Sequence, residues 1–202
     1  MIAGLYVITR PGPALLTEAA AALAGGARVL QYRDKGQDPT RRLHEARALR
    51  VLCRQHQVPL VINDDVELAV AAGADGVHLG QGDVSLAVAR ERLGASAIIG
   101  VTCHDRLDLA EAAAQGGANY LAFGAMFASP TKPATIACPL ATLTRARALF
   151  SLPLVAIGGI TPDNAGQVIQ AGADAVAVIS ALWEAPDIAQ RARQFSKECM
   201  RT

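Results

Sequence analysis

Short apolar runs of strand length alternate with Ala-, Leu- and Arg-rich stretches of helical length along the whole chain. The strand-like runs cover residues 5–9, 29–32, 60–63, 76–79, 98–102, 120–123, 154–157 and 175–179. They are nearly continuous in Val, Ile and Leu, the pattern of parallel strands covered on both faces. Helical periodicity fills the intervals between them, for example over 40–56, 85–93, 106–115 and 164–171. A Gly-Ala dipeptide precedes a strand at residues 26–27, 73–74, 117–118 and 172–173. Each interval between these dipeptides is long enough for two βα units. Glycine there ends a helix in a left-handed cap, and a small alanine follows as the chain turns into the sheet. The repeat marks the second, fourth, sixth and eighth strands. It therefore predicts an α/β fold, a single compact (βα)8 TIM barrel over residues 1–202. An open doubly wound sheet is the competing architecture, but it predicts no such regularity in the even strands.

Composition narrows the class. The chain has 202 residues, 51% of them hydrophobic, and 19 basic residues against 18 acidic ones. A net charge of +1 leaves no basic excess to neutralise a nucleic-acid backbone. No run approaches the roughly 20 apolar residues needed to cross a bilayer. The amino terminus lacks the basic start, apolar run and cleavage site of a signal peptide. Cys53, Cys103, Cys138 and Cys199 are scattered and read as reduced thiols, not as a disulfide or zinc framework. These features predict a soluble cytoplasmic single domain without nucleic-acid or membrane partners; homo-oligomeric assembly stays open.

In a parallel barrel, chemistry gathers just beyond the carboxyl ends of the strands. Polar residues cluster there. Gln31, Arg33 and Lys35 alternate along one extended segment, so all three can share a face. Two cations and an amide suit a diphosphate and a hydrogen-bonding heterocycle. Lysine is rare in this chain, three residues against sixteen arginines, yet Lys35 and Lys132 both fall in strand-end loops. Asp64 and Asp83 follow adjacent strands and, beside cations, suit Mg2+ shared with phosphate oxygens. The competing reading is that one of the pair Asp64 and Asp65 caps the next helix, with Asp65 favoured for that role. Gly158-Gly159, followed by a helix start at Thr161-Pro162, offers backbone N–H groups to a phosphate together with the loop at Ser180. A close-packed glycine turn is the alternative there. His78 and His104 read as hydrogen-bonded structure, since no nucleophile–base pair accompanies them. The stretch 123–140 has three prolines and no helical pattern, which suggests a binding loop carrying Lys132.

The segments QYRDK, IND, GVHLGQGD, GVTCH, SPTK, AIGGI and VISAL occur in that order along the chain. Together they resemble the thiamine phosphate synthase family. That resemblance implies a magnesium-dependent transferase joining 4-amino-2-methyl-5-hydroxymethylpyrimidine diphosphate to hydroxyethylthiazole phosphate, with release of pyrophosphate. It implies Gln31, Arg33, Lys35, Asn63 and Lys132 for the pyrimidine diphosphate, and Asp64 and Asp83 for Mg2+. It further implies Ser129 and Thr131 near the thiazole, with Gly159, Ile179 and Ser180 around its phosphate. Thr102 stands where the family usually has serine and keeps the hydroxyl. Arg33, Thr102 and Lys132 are the expected catalytic groups. Ser129 and Ala134 also depart from the usual pattern. A thiazole tautomerase-like paralogue and a non-catalytic barrel binding thiamine precursors are the alternatives.

Overall fold

The computed structural model describes residues 2–128 and 138–199. Its strands are β1 (Gly4–Ile8), β2 (Val29–Tyr32), β3 (Leu60–Asn63), β4 (Gly76–Leu79), β5 (Ile98–His104), β6 (Tyr120–Gly124), β7 (Leu154–Ile157) and β8 (Ala175–Val178). All pair in parallel, in sequence order, and β8 returns to β1 to close the barrel. Closure eliminates the open doubly wound sheet. The helices are α1 (Leu15–Ala24), α2 (Pro39–Gln55), α3 (Val66–Ala72), α4 (Leu86–Leu93), α5 (Leu107–Gln115), α6 (Leu140–Leu149), α7 (Pro162–Gln170), α8 (Ser180–Trp183) and α9 (Ile188–Cys199). Among the described residues, no helix is long and apolar enough to cross a membrane.

Strand parity divides the core in two. Leu5, Val7, Leu30, Tyr32, Leu60, Ile62, Leu121 and Phe123 belong to the larger cluster, which includes buried residues of the surrounding helices. Their neighbours Tyr6, Ile8, Val29, Val61, Tyr120, Ala122 and Val155 form a second cluster within the barrel. Because side chains alternate along a strand, Gln31, Asn63, His78 and Thr102 take the inward parity at the carboxyl ends of β2 to β5. Gly100 gives space to this interior. A Cβ there would lie 1.9 Å from the Tyr120 ring, so any side chain would displace the tyrosine.

The Gly-Ala repeat has a structural basis at the opposite end of the barrel. Gly26, Gly73, Gly117 and Gly172 all have positive φ, from 62° to 114°, as the capping role requires. Two residues beyond three of these glycines, a polar side chain ties a strand to a helix. Asp75 Oδ2 accepts from Leu60 N and Arg50 Nη1, both at 2.7 Å. Asn119 Oδ1 accepts from Ile99 N at 2.8 Å and Arg90 Nη2 at 2.7 Å. Asp174 Oδ2 accepts from Leu154 N at 2.7 Å and Arg147 Nη1 at 2.8 Å. Each clamp joins the start of an odd strand to the preceding helix. Arg28 occupies the corresponding position before β2, so the fourth quarter lacks this clamp. Instead, Ser196 of α9 donates to the carbonyls of Gly25 and Gly26.

Candidate active site

The charged part of the mouth is built on β2, β3 and β4. Lys35 Nζ lies 3.2 Å from Asp64 Oδ2. Asp64 has φ of 63°, and its amide donates to His78 O at 2.8 Å. A non-glycine residue in this conformation bears local strain, here at the point where the chain leaves β3. Asp83 Oδ2 accepts from Gly80 N at 2.7 Å, closing the Gly80-Gln81-Gly82 turn over itself. Desolvation pushes the Asp83 pKa up, and the adjacent Asp64 carboxyl adds to that; the Gly80 amide and Lys35 oppose it. The two carboxyl groups therefore converge. Asp65 turns away: its Oδ1 accepts from Leu68 N at 2.9 Å and caps α3, while Arg42 pairs with its other oxygen. The cap is thus Asp65 and the mouth carboxylate is Asp64.

The loop after β2 is braced from below. Asp34 is buried, accepts from Gly36 N at 2.6 Å and pairs with Arg41 at 2.6 Å. Its burial raises the pKa, but the Gly36 amide and Arg41 outweigh that and hold it below the ordinary value. Arg33 is half-buried, and its amide donates to Thr9 Oγ1 at 3.0 Å. These bonds fix the backbone that carries Arg33 and Lys35.

A polar chain crosses the barrel interior. Gln31 Nε2 donates to Tyr6 Oη at 2.8 Å, and Tyr6 Oη is 2.8 Å from Tyr120 Oη. Tyr120 Oη lies 2.9 Å from His78 Nδ1, and His78 Nε2 lies 2.9 Å from Thr102 Oγ1. The His78 and Tyr120 rings stack with centroids 5.6 Å apart. Although one edge of His78 remains accessible, burial of its ring pushes its pKa down to about 4, with Asp83 opposing. Burial likewise raises the pKa values of Tyr6 and Tyr120. His78 is hydrogen-bonded structure, as its sequence context suggests. The two tyrosines are functional candidates that the sequence reading misses. Their signal is a phenol embedded in an apolar strand, which demands a buried partner.

The far side of the mouth differs in chemistry. Gly158 and Gly159 have φ of 102° and 62°. A Cβ on Gly159 would sit 2.7 Å from the carbonyl oxygens of Phe127 and Ala128. The turn is therefore close-packed, and Gly158 O accepts from Phe127 N at 3.0 Å. Asn164 braces it, donating from Nδ2 to Gly159 O at 3.1 Å and accepting from Thr161 N at 2.8 Å. Ile179 follows β8, and Ser180 opens α8. Trp183 is core, its indole N–H donating to Ile8 O at 2.7 Å. Ser129, Thr131 and Lys132, together with most of the predicted binding loop, lie outside the described residues.

Two further expectations find their place. All four cysteines are free; burial raises Cys53 and Cys103 to about 12, so neither is a thiolate. Among the described residues, no three His, Cys, Asp or Glu side chains form a metal-holding group. Two converging carboxylates nevertheless fit Mg2+, which takes one or two from protein when phosphate oxygens and water complete its shell. A cavity of about 480 Å³ opens at the other end of the barrel, among Arg28, Pro59, Ile98, Asn119 and Pro153. It holds no carboxylate and stands away from the strand carboxyl ends, where a barrel's chemistry belongs.

The fold and mouth thus define a (βα)8 barrel with a cluster of charged side chains at the carboxyl ends of its strands. A family model described as thiamine monophosphate synthase matches residues 5–182, and the chain belongs to that family. It is a transferase of thiamine biosynthesis. The chain is 53% identical to a thiamine-phosphate synthase of Thioalkalivibrio sulfidiphilus, over 96% of this chain and 93% of that one. It is 54% identical to one of Chromobacterium violaceum, covering 96% and 95% respectively. A solved thiamine phosphate pyrophosphorylase of Pyrococcus furiosus superposes with a TM-score of 0.87 at 35% identity, covering 97% of this chain and 95% of that one.

Proposed function

We propose that this barrel joins 4-amino-2-methyl-5-hydroxymethylpyrimidine diphosphate to hydroxyethylthiazole phosphate, giving thiamine phosphate and pyrophosphate. The convergence of Lys35, Asp64 and Asp83 at one mouth carries the reading. Cations beside paired carboxylates suit a diphosphate that arrives with its metal. Gln31 and Asn63 hold the pyrimidine; Arg33, Lys35 and Lys132 hold the diphosphate; Thr102 stands near the leaving group. Gly159, Ile179 and Ser180 serve the thiazole phosphate, and Ser129 and Thr131 the thiazole itself. Asp64 and Asp83 would hold Mg2+, which when bound neutralises charge on the departing diphosphate.

Bond formation then needs positioning more than proton transfer. The diphosphate leaves the pyrimidine methylene, and the thiazole nitrogen captures the cation that forms. The residues assigned to each substrate orient the two and keep water away. A tautomerase-like paralogue would have little use for both carboxylates, so Asp64 and Asp83 favour the synthase. Four cysteines without a disulfide among them support a cytoplasmic setting. The test mixes both substrates with the protein, with and without Mg2+, and follows thiamine phosphate. Magnesium-dependent product supports the synthase. Rearrangement of the thiazole phosphate alone would indicate the tautomerase, and binding without turnover a non-catalytic barrel.

A further inference from the structure

We propose that Tyr6, Tyr120 and His78 are positioning residues. Their hydrogen-bond chain from Gln31 fixes the direction of the Thr102 hydroxyl and aims its hydrogen at an oxygen of the departing diphosphate. The inference rests on the proposed function for the roles of Gln31 and Thr102 at the two ends, and on this structure for everything between them.

The direction follows from counting hydrogens. An amide nitrogen donates and cannot accept, so Gln31 Nε2 gives a hydrogen to Tyr6 Oη. Each phenol has one hydrogen. A phenol oxygen can also accept twice, but the one arrangement in which every hydrogen of the chain meets an acceptor has Tyr6 donating to Tyr120 and Tyr120 donating to His78 Nδ1. A neutral imidazole accepting at Nδ1 carries its proton on Nε2, which then donates to Thr102 Oγ1. Thr102 accepts from within the barrel, and its own hydrogen is left for an acceptor at the mouth. A doubly protonated ring would put a donor on Nδ1, reverse both phenols and set two donors against each other at Gln31. The chain therefore selects the neutral form.

The other end supplies the condition. With Nε2 committed to Tyr6, Gln31 Oε1 is the atom left to accept from a ligand. An exocyclic amine on a pyrimidine is such a donor. A ring bearing an acceptor there would favour the turned amide, with Oε1 toward Tyr6. Every bond in the chain would then reverse, and the Thr102 hydrogen would be spent on His78. Recognition of the amine and readiness of the leaving-group donor are thus one arrangement. The interior is shaped for it, since Gly100 leaves the space that the Tyr120 ring fills.

A double-mutant cycle tests the proposal. Tyr120→Phe and Thr102→Val are assayed singly and together, with both substrates and Mg2+. Tyr120→Phe should lower kcat roughly tenfold with little change in the KM for thiazole phosphate. In the Thr102→Val background the same substitution should cost nothing further, because the hydroxyl it orients is gone. Should Tyr120→Phe fail to fold, Tyr6→Phe interrupts the chain one step farther away and should show the same dependence on Thr102. Nitrogen-15 shifts of His78 in the ligand-free parent give a second readout, with the Nε2–H tautomer expected. Independent losses in the cycle, or an Nδ1–H tautomer, would overturn the relay. The tautomer measurement needs no turnover. A parent protein that made no thiamine phosphate would refute the proposed reaction while leaving the relay itself open to measurement.

Discussion

The two sides of the barrel mouth, each proposed to hold a phosphate, are built by different means. On the side of β2 to β4 the groups are charged: Lys35 meets Asp64, Asp64 meets Asp83, and an ion pair of buried Asp34 with Arg41 holds the loop that carries Lys35. On the side of β7 and β8, the groups around Gly158 and Gly159 are peptide units braced by Asn164. Charged side chains can adjust to a metal and to a leaving group whose charge grows during reaction. Backbone groups in a close-packed turn cannot, but they suit a phosphate that stays unchanged from substrate to product. The division matches the two proposed substrates, one losing its diphosphate and the other keeping its phosphate.

The strongest way to break this comparison is to neutralise the charged side. Asp64→Asn or Asp83→Asn should lower turnover roughly 100-fold at moderate Mg2+ and raise the Mg2+ concentration needed for half-maximal rate. Stability without ligand should hold or rise slightly for Asp83→Asn, since desolvation and then Asp64 disfavour its charge. Magnesium titrations of the parent and both variants decide the matter. Identical plateaus at identical Mg2+ would make these carboxylates structural.

Gly159→Val tests the other side. Its Cβ would press on the Phe127 and Ala128 carbonyls, so the 124–128 segment must shift as well. The expected result is a roughly tenfold rise in KM for thiazole phosphate, a smaller rise for the pyrimidine diphosphate, and a lowered Tm. Equal rises for both substrates would remove the distinction between the two sides.

Lys35→Ala sharpens the comparison more gently. Lys35 is 65% exposed, so its loss should leave Tm unchanged while raising KM for the diphosphate substrate roughly fivefold. Added salt should shrink the difference between variant and parent. An unchanged KM would leave Lys35 as a surface ion pair alone.

The smallest effect concerns the brace beneath the charged loop. Asp34→Asn should lower Tm at pH 7 by about 2–4 °C. Because the folded-state pKa of Asp34 lies below its ordinary value, its contribution is present above about pH 3.9. It disappears as pH falls further, through the folded-state value. The Tm gap between variant and parent should therefore narrow below that pH. A gap that persisted in acid would mean that Asp34 acts through shape and not charge.

Much of this was legible in the residues. The expected runs 29–32, 60–63, 76–79 and 154–157 coincide with β2, β3, β4 and β7, because strands apolar on both faces leave little choice of boundary. The ends of β1, β5, β6 and β8 move by one or two residues, where polar mouth residues obscure the hydrophobic limit. The assignment of Asp65 to the cap and Asp64 to the mouth followed from a helix-start pattern. The interior chain was not legible. Tyr6, Tyr120 and His78 come from three strands, and their meeting depends on barrel closure and on the space at Gly100. No local pattern encodes that meeting. The close packing of Gly159 against Phe127 and Ala128 is likewise a long-range fact, visible only once β6 and β7 lie side by side.

The missing clamp at Arg28 has a consequence for how the barrel comes apart. Three of its quarters are riveted by a side chain shared between an odd strand and a helical arginine, but the quarter containing β1 closes through Ser196 on the last helix. That quarter is the seam at which the first strand meets the eighth. Native-state amide exchange should run fastest along this seam, in β1 and α9, with the riveted quarters exchanging later. A circular permutation that moved the chain termini to another quarter would leave the seam where it is, because Arg28 and Ser196, not the position of the ends, define the line of least resistance.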